Sequence, residues 1–392
     1  MRIALLSAAA IAASACDPTP APEALPFEPA SATATPDPAV LGPYPVGVRT
    51  VTLVDETRED GPRTLKVELW YPAKESARTA TPETIRLFDE LPPDLQTDLR
   101  PEDLGELPTV AVRDAEARAD GVTFPVVVFS HGKGGIRNQS NFYTTAIASH
   151  GYVVASPDHA GDTVVELLRE VKESGSIQAD STLEAIVARP KDIMAILDQL
   201  PDIAGDDIAP ILNLEDVGVT GHSFGALTSF LVASQDFRVD AVVAQTPTSQ
   251  EVIDLQSRTP MRELTKPSLL QSATLDETLP EATNAAPLYE TLPGQKAWLS
   301  LARAGHFTYS DLCILDVEAI SAAVDLDVSN VLDDGCGENA LSTAVAFPVI
   351  NATAIGFFNA QLRKSPGSAV FVAQSTVDAL SPGEGTLTKD GL

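Results

Sequence analysis

The pentapeptide GHSFG at residues 221–225 stands between a buried-strand pattern at 217–220 and a helix pattern at 226–234. A serine at the apex of so tight a strand-to-helix turn adopts an unfavourable backbone conformation. Glycines two positions before and after it avoid clashes between the crossing chains. A match to G-x-S-x-G arises by chance in about one chain in ten of this length. The motif is specific only because a strand precedes it and a helix follows it. In this context Ser223 is a candidate nucleophile.

Strand and helix patterns alternate along most of the chain. Uninterrupted or nearly uninterrupted apolar runs occur at 124–129, 152–155, 217–220, 241–244, 268–270 and 297–301. Such runs are typical of strands that are covered on both faces, and their alternation with helices indicates parallel pairing. Helices are predicted at 141–149, at 190–200 with a proline in the first turn, at 226–234 and at 340–362 despite Pro348.

Two further runs, at 48–54 and 65–71, alternate apolar and polar residues around the turn sequence DGP at 60–62. This pattern predicts an antiparallel hairpin. The chain is therefore expected to form an α/β fold with a mostly parallel central sheet, an N-terminal antiparallel hairpin and helices on both faces.

The N-terminal residues predict export. Met1 and Arg2 precede an apolar run at 3–13, and small residues precede Cys16. The run is too short to span a bilayer, and the arrangement resembles a bacterial lipoprotein signal over residues 1–16, although Ala13 stands where leucine is usual. In that case Cys16 is lipidated and anchors the chain to a membrane. Ordinary secretion with cleavage near Ala15, or an uncleaved segment, are the alternatives.

The domain limits follow from composition. Residues 17–45 are rich in proline, alanine and acidic residues and predict an extended tether, or an incidental disordered N-terminus. We expect a folded domain over 46–362 and a C-terminal extension over 363–392. Acidic insertions at 74–121 and 160–188 are each a candidate lid or surface decoration. The second contains an amphipathic piece with Val164, Val165, Leu167 and Leu168.

The charge of the chain excludes one class of partner. With 26 Lys+Arg against 55 Asp+Glu, the formal net charge is −29. Nucleic-acid affinity depends on basic side chains that displace counterions, so nucleic-acid binding is set aside. Only 21% of the residues are charged and 44% are apolar, a composition that can bury a large core.

Cys313 and Cys336 are the two cysteines that remain beyond Cys16. In an oxidising compartment this pair predicts a disulfide that stabilises the fold by about 3 kcal/mol. Neither cysteine is a candidate nucleophile, since no histidine follows Cys336 and no CxxC motif occurs.

A serine hydroxyl is a weak nucleophile at neutral pH and needs a base. The chain has five histidines. After a strand–serine–helix motif of this kind, the acid and then the histidine follow the serine along the chain. Only His306 lies after Ser223, on the loop that follows the strand at 297–301. We therefore expect His306 to be the base.

The acid that orients this imidazole is expected to be Asp276, which follows the strand at 268–270. Glu277 is the nearest rival. Asp240 enters a strand and Asp254 lies in a connecting stretch, so both are less well placed. An ordinary turn aspartate is the alternative interpretation of Asp276.

An acyl-transfer site also needs two N–H donors for the oxyanion. One is expected to be the backbone N–H of Phe224, and the other that of Lys133 in the loop HGKGG at 131–135. A dinucleotide site is the competing interpretation of this loop, but it lacks the G-x-G-x-x-G spacing, and no phosphate-binding P-loop occurs in the chain.

Taken together, these motifs resemble the α/β-hydrolase superfamily, and within it the bacterial platelet-activating factor acetylhydrolase and dienelactone-hydrolase-like group. The resemblance covers roughly residues 46–362 and depends on the order of several motifs: FSHG at 129–132, SHGYVV at 149–154, PDH at 157–159, RP at 189–190 with Asp192, GHSFG, and GHF at 305–307 with Asp311. It implies a serine esterase that needs neither a metal nor a cofactor.

One departure limits what the resemblance implies. Animal platelet-activating factor acetylhydrolases place their acid after the strand that precedes 245–247, where this chain has QTP and no carboxylate. The role of the acid is therefore assigned to Asp276, as in other bacterial relatives. The phospholipid substrate of the animal enzymes is not expected for this chain.

The expected function is hydrolysis of short-chain or acetyl esters, small-molecule or lipid, through an acyl-enzyme. A lipase or polyester hydrolase with the same triad is one alternative. A non-catalytic ligand-binding lipoprotein is the other.

Overall fold

The structure is a computed structural model that describes residues 23–97, 99–174, 179–324 and 331–392. The predicted lipoprotein signal, with Cys16, lies outside the described residues. The strands are β1 Val46–Asp55, β2 Arg63–Pro72, β3 Thr84–Arg86, β4 Glu106–Pro108, β5 Val112–Arg113, β6 Phe124–Ser130, β7 Val153–Pro157, β8 Leu212–His222, β9 Val239–Gln245, β10 Ser268–Ala273, β11 Lys296–Leu301 and β12 Gly385–Asp390.

Helices and short 3-10 turns connect the strands. The α-helices are α1 Leu87–Glu90, α2 Pro93–Gln96, α3 Asn141–Ser149, α4 Val164–Ser174, α5 Ala179–Ile203, α6 Phe224–Gln235, α7 Gln250–Asp254, α8 Ala285–Thr291, α9 Val317–Val324, α10 Thr343–Gln361 and α11 Gln374–Leu380.

Ten strands form one sheet in the order β12-β11-β10-β9-β8-β6-β7-β2-β1-β5. The six strands β11, β10, β9, β8, β6 and β7, which are consecutive in the sheet, pair in parallel. The hairpin of β1 and β2 joins this parallel part through an antiparallel pairing of β2 with β7. The predicted fold class, a mostly parallel sheet with an N-terminal antiparallel hairpin, is therefore confirmed.

Helices cover both faces of the sheet. On one face, α5 and α6 bury apolar side chains such as Ile196 and Phe230 against the strands. On the other, α3 and α10 bury Ile147, Phe357 and Phe358. Among the described residues, α10 has the length and apolar composition of a membrane-spanning helix, but it packs against the sheet as part of the core. The two-sided cover explains why the strands are apolar without interruption.

The structure differs from the predicted helix at 190–200, because α5 begins at Ala179 and contains Pro190 in its interior. A proline inside a helix removes one backbone hydrogen bond. Here the helix continues, and the neighbouring residues Arg189 and Asp192 are buried in polar contacts with other parts of the chain. The predicted insertion at 160–188 consequently contains α4 and the first turns of α5.

The predicted tether and C-terminal extension are also different in the structure. Within the described part of 17–45, the carbonyl of Ala30 accepts a hydrogen bond from Arg363, and the N–H of Gly42 donates to Ser149 Oγ at 2.8 Å. This segment is therefore docked on the domain. Residues 385–390 form β12, which pairs with β11 at the edge of the sheet. An exposed edge strand does not need an apolar run, and residues 385–390 have none. This strand could therefore not be predicted from the sequence.

Parallel pairing brings the carboxyl ends of β6, β8, β10 and β11 to one edge of the sheet. The loops that carry the predicted site residues all begin at this edge, which is where α/β sheets place their functional side chains.

Candidate active site

Ser223 lies at a strained turn between β8 and α6. Its φ angle is +57°, in a region that side-chain-bearing residues rarely occupy. The strained turn is held by the N–H of Ser223, which donates to the carbonyl of Gln245 at 2.8 Å. A methyl group on Gly225 would lie 1.8 Å from the carbonyl oxygen of Ser130, and one on Gly221 would lie 2.5 Å from it. The two glycines of the motif are thus required by the close approach of β6.

The structure brings Ser223, His306 and Asp276 into one hydrogen-bonded series. Oγ of Ser223 lies 2.8 Å from Nε2 of His306, and Nδ1 of His306 lies 3.0 Å from Oδ2 of Asp276. The other carboxylate oxygen of Asp276 accepts the N–H of Leu279 at 2.6 Å, which fixes the carboxylate plane. In this geometry Nδ1–H donates to Asp276, leaving Nε2 to accept the serine proton. Glu277, the rival acid, has an exposed side chain.

Asp334 joins the loops that carry Asp276 and His306. Its carboxylate accepts the N–H of His306 at 2.8 Å, of Glu277 at 3.1 Å and of Thr278 at 3.0 Å. Nearby, Cys336 forms a disulfide with Cys313, which holds this segment next to the residues that follow His306. Asp334 could not be identified from the sequence, because an aspartate in an acidic stretch carries no motif.

His222, the residue before Ser223, supports the loop that carries His306. Its Nε2 donates to the carbonyl of His306 at 2.9 Å, and its Nδ1 accepts from Nε2 of Gln139 at 2.9 Å. Burial, and then the nearby His306, lowers the pKa of His222 to about 3. His222 is therefore neutral at physiological pH, as both hydrogen bonds require. Oε1 of Gln139 also accepts the N–H of Gly132 at 2.7 Å, which links this support to the glycine-rich loop.

The two predicted oxyanion donors border the serine. Phe224 is the first residue of α6, where the backbone N–H has no carbonyl acceptor within the helix. Lys133 follows Gly132, and a methyl group on Gly132 would lie 3.6 Å from Cβ of Ser223. The side chain of Lys133 turns away to Asp162, with Nζ 2.9 Å from the carboxylate.

Incompletely buried apolar residues lie next to the site residues along the chain. Leu275, next to Asp276, is 50% exposed, and Phe224 and Phe307 are half-buried beside Ser223 and His306. The amphipathic piece predicted at 164–168 forms the start of α4, and Leu167 packs on the glycine-rich loop.

A second Ser–His–Asp series lies deeper in the protein. Oγ of Ser130 is 2.9 Å from Nε2 of His159, whose Nδ1 is 2.9 Å from Asp192. All three residues are buried, and burial lowers the pKa of His159 to about 4. Asp192 is also paired with Arg58 and Arg63. Since no substrate can reach Ser130, this series holds β6, β7 and α5 together and is not a reaction site.

A metal centre has no support in the described parts of the chain, where no three His, Cys, Asp or Glu side chains cluster as ligands.

Two family models match this chain. The model for PET hydrolase-like proteins matches residues 116–314, about half of the chain, and the model for platelet-activating factor acetylhydrolase, isoform II, matches residues 30–167.

Individual proteins give the same grouping. Cutinase est1 of Thermobifida alba is 26% identical over 47% of this chain and 54% of the cutinase. Platelet-activating factor acetylhydrolase of Bos taurus is 27% identical over 36% of this chain and 38% of the bovine enzyme. The chain thus spans about half the length, or less, of these curated relatives. A ferulic acid esterase structure from Streptomyces cinnamoneus matches with a TM-score of 0.64 and 25% identity, over 92% of this chain and 99% of the esterase.

Cutinases, acetylhydrolases of this type and ferulic acid esterases are all carboxylic ester hydrolases. The sheet order, the serine turn at the carboxyl edge and the match over half of the chain lead to one assignment. The protein has an α/β-hydrolase fold and belongs to the PET hydrolase-like family.

Proposed function

We propose that this protein is a serine carboxylic ester hydrolase in which Ser223 is the nucleophile, His306 the base and Asp276 the acid. The observation that carries the proposal is the 2.8 Å contact between Ser223 Oγ and His306 Nε2, on a serine held at a strained turn. A buried structural serine would not need this backbone conformation, and Ser223 is not fully buried.

In the first step, Oγ of Ser223 attacks the ester carbonyl carbon, and its proton passes to Nε2 of His306. The oxyanion accepts hydrogen bonds from the backbone N–H groups of Phe224 and Lys133. The carbon–oxygen bond to the alcohol then breaks, and the alcohol leaves with the proton from Nε2. Asp276 keeps the imidazole in the required tautomer and stabilises its transient positive charge.

In the second step, a water molecule attacks the acyl carbon and gives a proton to Nε2 of His306. The bond between the acyl carbon and Ser223 Oγ breaks, and the serine regains its proton from Nε2. The products are a carboxylic acid and the free enzyme, so the cycle needs no external reactant other than water.

We propose short-chain or acetyl esters as the substrates. Leu275, Phe224 and Phe307 are incompletely buried apolar residues adjacent in sequence to Asp276, Ser223 and His306, and apolar residues beside a site suit a neutral acyl group. A second candidate, hydrolysis of polyesters, is favoured by the PET hydrolase-like match over 116–314 and by the similarity to cutinases. The two candidate functions use the same triad. They differ in the length of polymer substrate that can bind at the protein surface around Ser223.

Replacing Ser223 by alanine tests the reaction. Turnover of p-nitrophenyl butyrate is expected to fall by on the order of 10⁶-fold, as for loss of a serine nucleophile. Ser130→Ala is the matched control, because it also removes a serine that is bonded to a histidine, and we expect it to keep wild-type kcat. If the Ser223→Ala variant retained most of the activity, the proposal would be contradicted.

A substrate panel separates the two substrate classes. Esters of p-nitrophenol from acetate to palmitate, methyl ferulate and a polyester film are compared under one set of conditions. Highest kcat/KM on acetate or butyrate without release from the film supports the short-chain proposal. Release of soluble acids from the film, lost in Ser223→Ala, supports the polyester candidate.

We also propose that the enzyme acts outside the cytoplasm. The disulfide between Cys313 and Cys336 suits an oxidising compartment. A lipid anchor at Cys16 remains a prediction from sequence. Mass analysis of the mature N-terminus from membrane and soluble fractions distinguishes a lipidated Cys16 from simple cleavage near Ala15.

A further inference from the structure

Arg189 is a fully buried arginine in α5 whose side chain contacts both sides of the oxyanion pocket. Nη1 donates to the carbonyl of His131 at 2.5 Å, and Nη2 donates to the carbonyl of Gly132 at 3.0 Å. The guanidinium carbon also lies 4.5 Å from the centre of the Phe224 ring. One side chain therefore contacts the glycine-rich loop and the first residue of α6.

The carbonyl of Gly132 is fixed by several donors. It accepts from Nη2 of Arg189, from Nδ1 of His131 at 2.7 Å and from the N–H of Gly135 at 3.1 Å. In a planar trans peptide the carbonyl and the following N–H point in opposite directions. The donors on the carbonyl of Gly132 therefore also set the direction of the Lys133 N–H.

We propose that Arg189 is a positioning residue for the oxyanion pocket, which aims the Lys133 N–H at the reacting oxygen and holds Phe224 at the start of α6. This inference rests on the proposed ester hydrolysis. Gly132 borders the nucleophile, since a methyl group on it would lie 3.6 Å from Cβ of Ser223. A donor held before the reaction stabilises the transition state without any reorganisation during it.

A charged, planar group is needed at this place. Asp162 accepts from Nε of Arg189 at 2.7 Å and also lies 2.9 Å from Nζ of Lys133, so one carboxylate holds both residues. Burial lowers the pKa of Arg189 to about 10, which leaves the guanidinium charged at neutral pH. A lysine ammonium cannot reproduce the fork that reaches two carbonyls and Asp162 at once.

Arg189→Lys tests the proposal, with Arg118→Lys as the matched control. Arg118 is another buried arginine, and its side chain pairs with the carboxylate of Asp120 and donates to the carbonyl of Glu23, both outside the glycine-rich loop. We expect Arg189→Lys to lower kcat by about 10- to 100-fold with KM within twofold, because one oxyanion donor contributes on the order of 10²–10³ in kcat. Arg118→Lys is expected to keep kcat within twofold.

The affinity for a transition-state analogue is a second measurement, and a general loss of stability would not change it. The inhibition constant of a trifluoromethyl ketone, which forms an oxyanion on the serine, should rise by the same factor as kcat/KM falls in Arg189→Lys. In Arg189→Ala, added guanidinium ion at non-denaturing concentration should restore part of kcat. Asp162→Asn, which keeps Arg189, gives a milder variant if the alanine variant does not fold.

The proposal is overturned if folded Arg189→Lys keeps wild-type kcat, or if the analogue binds it as tightly as the wild type. It is also overturned if Arg118→Lys loses the same fraction of kcat. These results leave ester hydrolysis itself intact. Failure of the proposed function would instead appear as an unchanged rate in Ser223→Ala.

Discussion

Oδ1 of Asp334 accepts the backbone N–H of His306 at 2.8 Å, so a carboxylate 28 residues further along the chain holds the His306 loop in place. The same carboxylate binds the backbone of Glu277 and Thr278, next to Asp276. The relative position of His306 and Asp276 therefore depends on Asp334.

Asp334→Asn should lower kcat with little change in KM. The amide would turn an NH₂ group towards N–H donors, so the acid and base loops would separate slightly, and a shift of about 1 Å can cost on the order of 10²-fold in rate. Steady-state kinetics on p-nitrophenyl butyrate measures this, with circular dichroism to verify folding. A folded variant with wild-type kcat would contradict the role of Asp334.

Asp276→Asn should reduce kcat by on the order of 10³- to 10⁴-fold, because the amide favours the wrong imidazole tautomer. Glu277→Gln is the control, since its side chain is exposed and only its backbone contacts Asp334. The control is expected within twofold of wild type. The reverse result, a large loss in Glu277→Gln alone, would assign the acid to Glu277.

The strands and the serine turn could be predicted because their signals are local. Apolar runs marked β6 to β11, and GHSFG marked the turn, since contacts with Ser130 allow only glycine at 221 and 225. His306 followed from chain order, because it is the one histidine after the serine.

Other features depend on contacts between distant segments and carry no local signal. Asp334 acquires its role only when three loops meet, and Gln139 does so by linking Gly132 to His222. Arg189 was visible as part of a family motif, but its contact with the carbonyl of Gly132 required the fold. The start of α5 was missed because Pro190 resembles a helix beginning, although the helix runs through it.

Reducing or removing the disulfide should affect both stability and rate. The Cys313→Ser/Cys336→Ser double variant loses a crosslink across 23 positions, which is worth about 3 kcal/mol of unfolding free energy. We expect a lower Tm and also a lower kcat at temperatures where the variant is folded, because Asp334 lies in the segment that the crosslink holds. Denaturant unfolding and kinetics measure the two effects, and an unchanged unfolding midpoint would contradict the first.

His150 is expected to make the stability of the fold decrease at acidic pH. Its Nε2 donates to the carbonyl of Val40 at 2.9 Å, and burial lowers its pKa to about 4. The unfolded chain takes up this proton near pH 6.5, whereas the folded chain resists it. The stability that neutral His150 contributes is therefore complete above about pH 6.5 and is lost as the pH falls towards 4.

His150→Gln keeps an N–H donor for Val40 and does not titrate. Its Tm should consequently fall less than that of the wild type between pH 7 and 4.5, in thermal denaturation followed by circular dichroism. Parallel Tm curves for the two proteins would contradict this account of His150.

Labelling with a fluorophosphonate tests the central claim most directly, because it reports the nucleophile itself. After incubation with the probe, peptide mass spectrometry should locate a single phosphonate on Ser223. Labelling should persist in Ser130→Ala and disappear in Ser223→Ala. Absence of label from the folded wild-type protein, or label on Ser130, would contradict the assignment of Ser223 as an activated nucleophile.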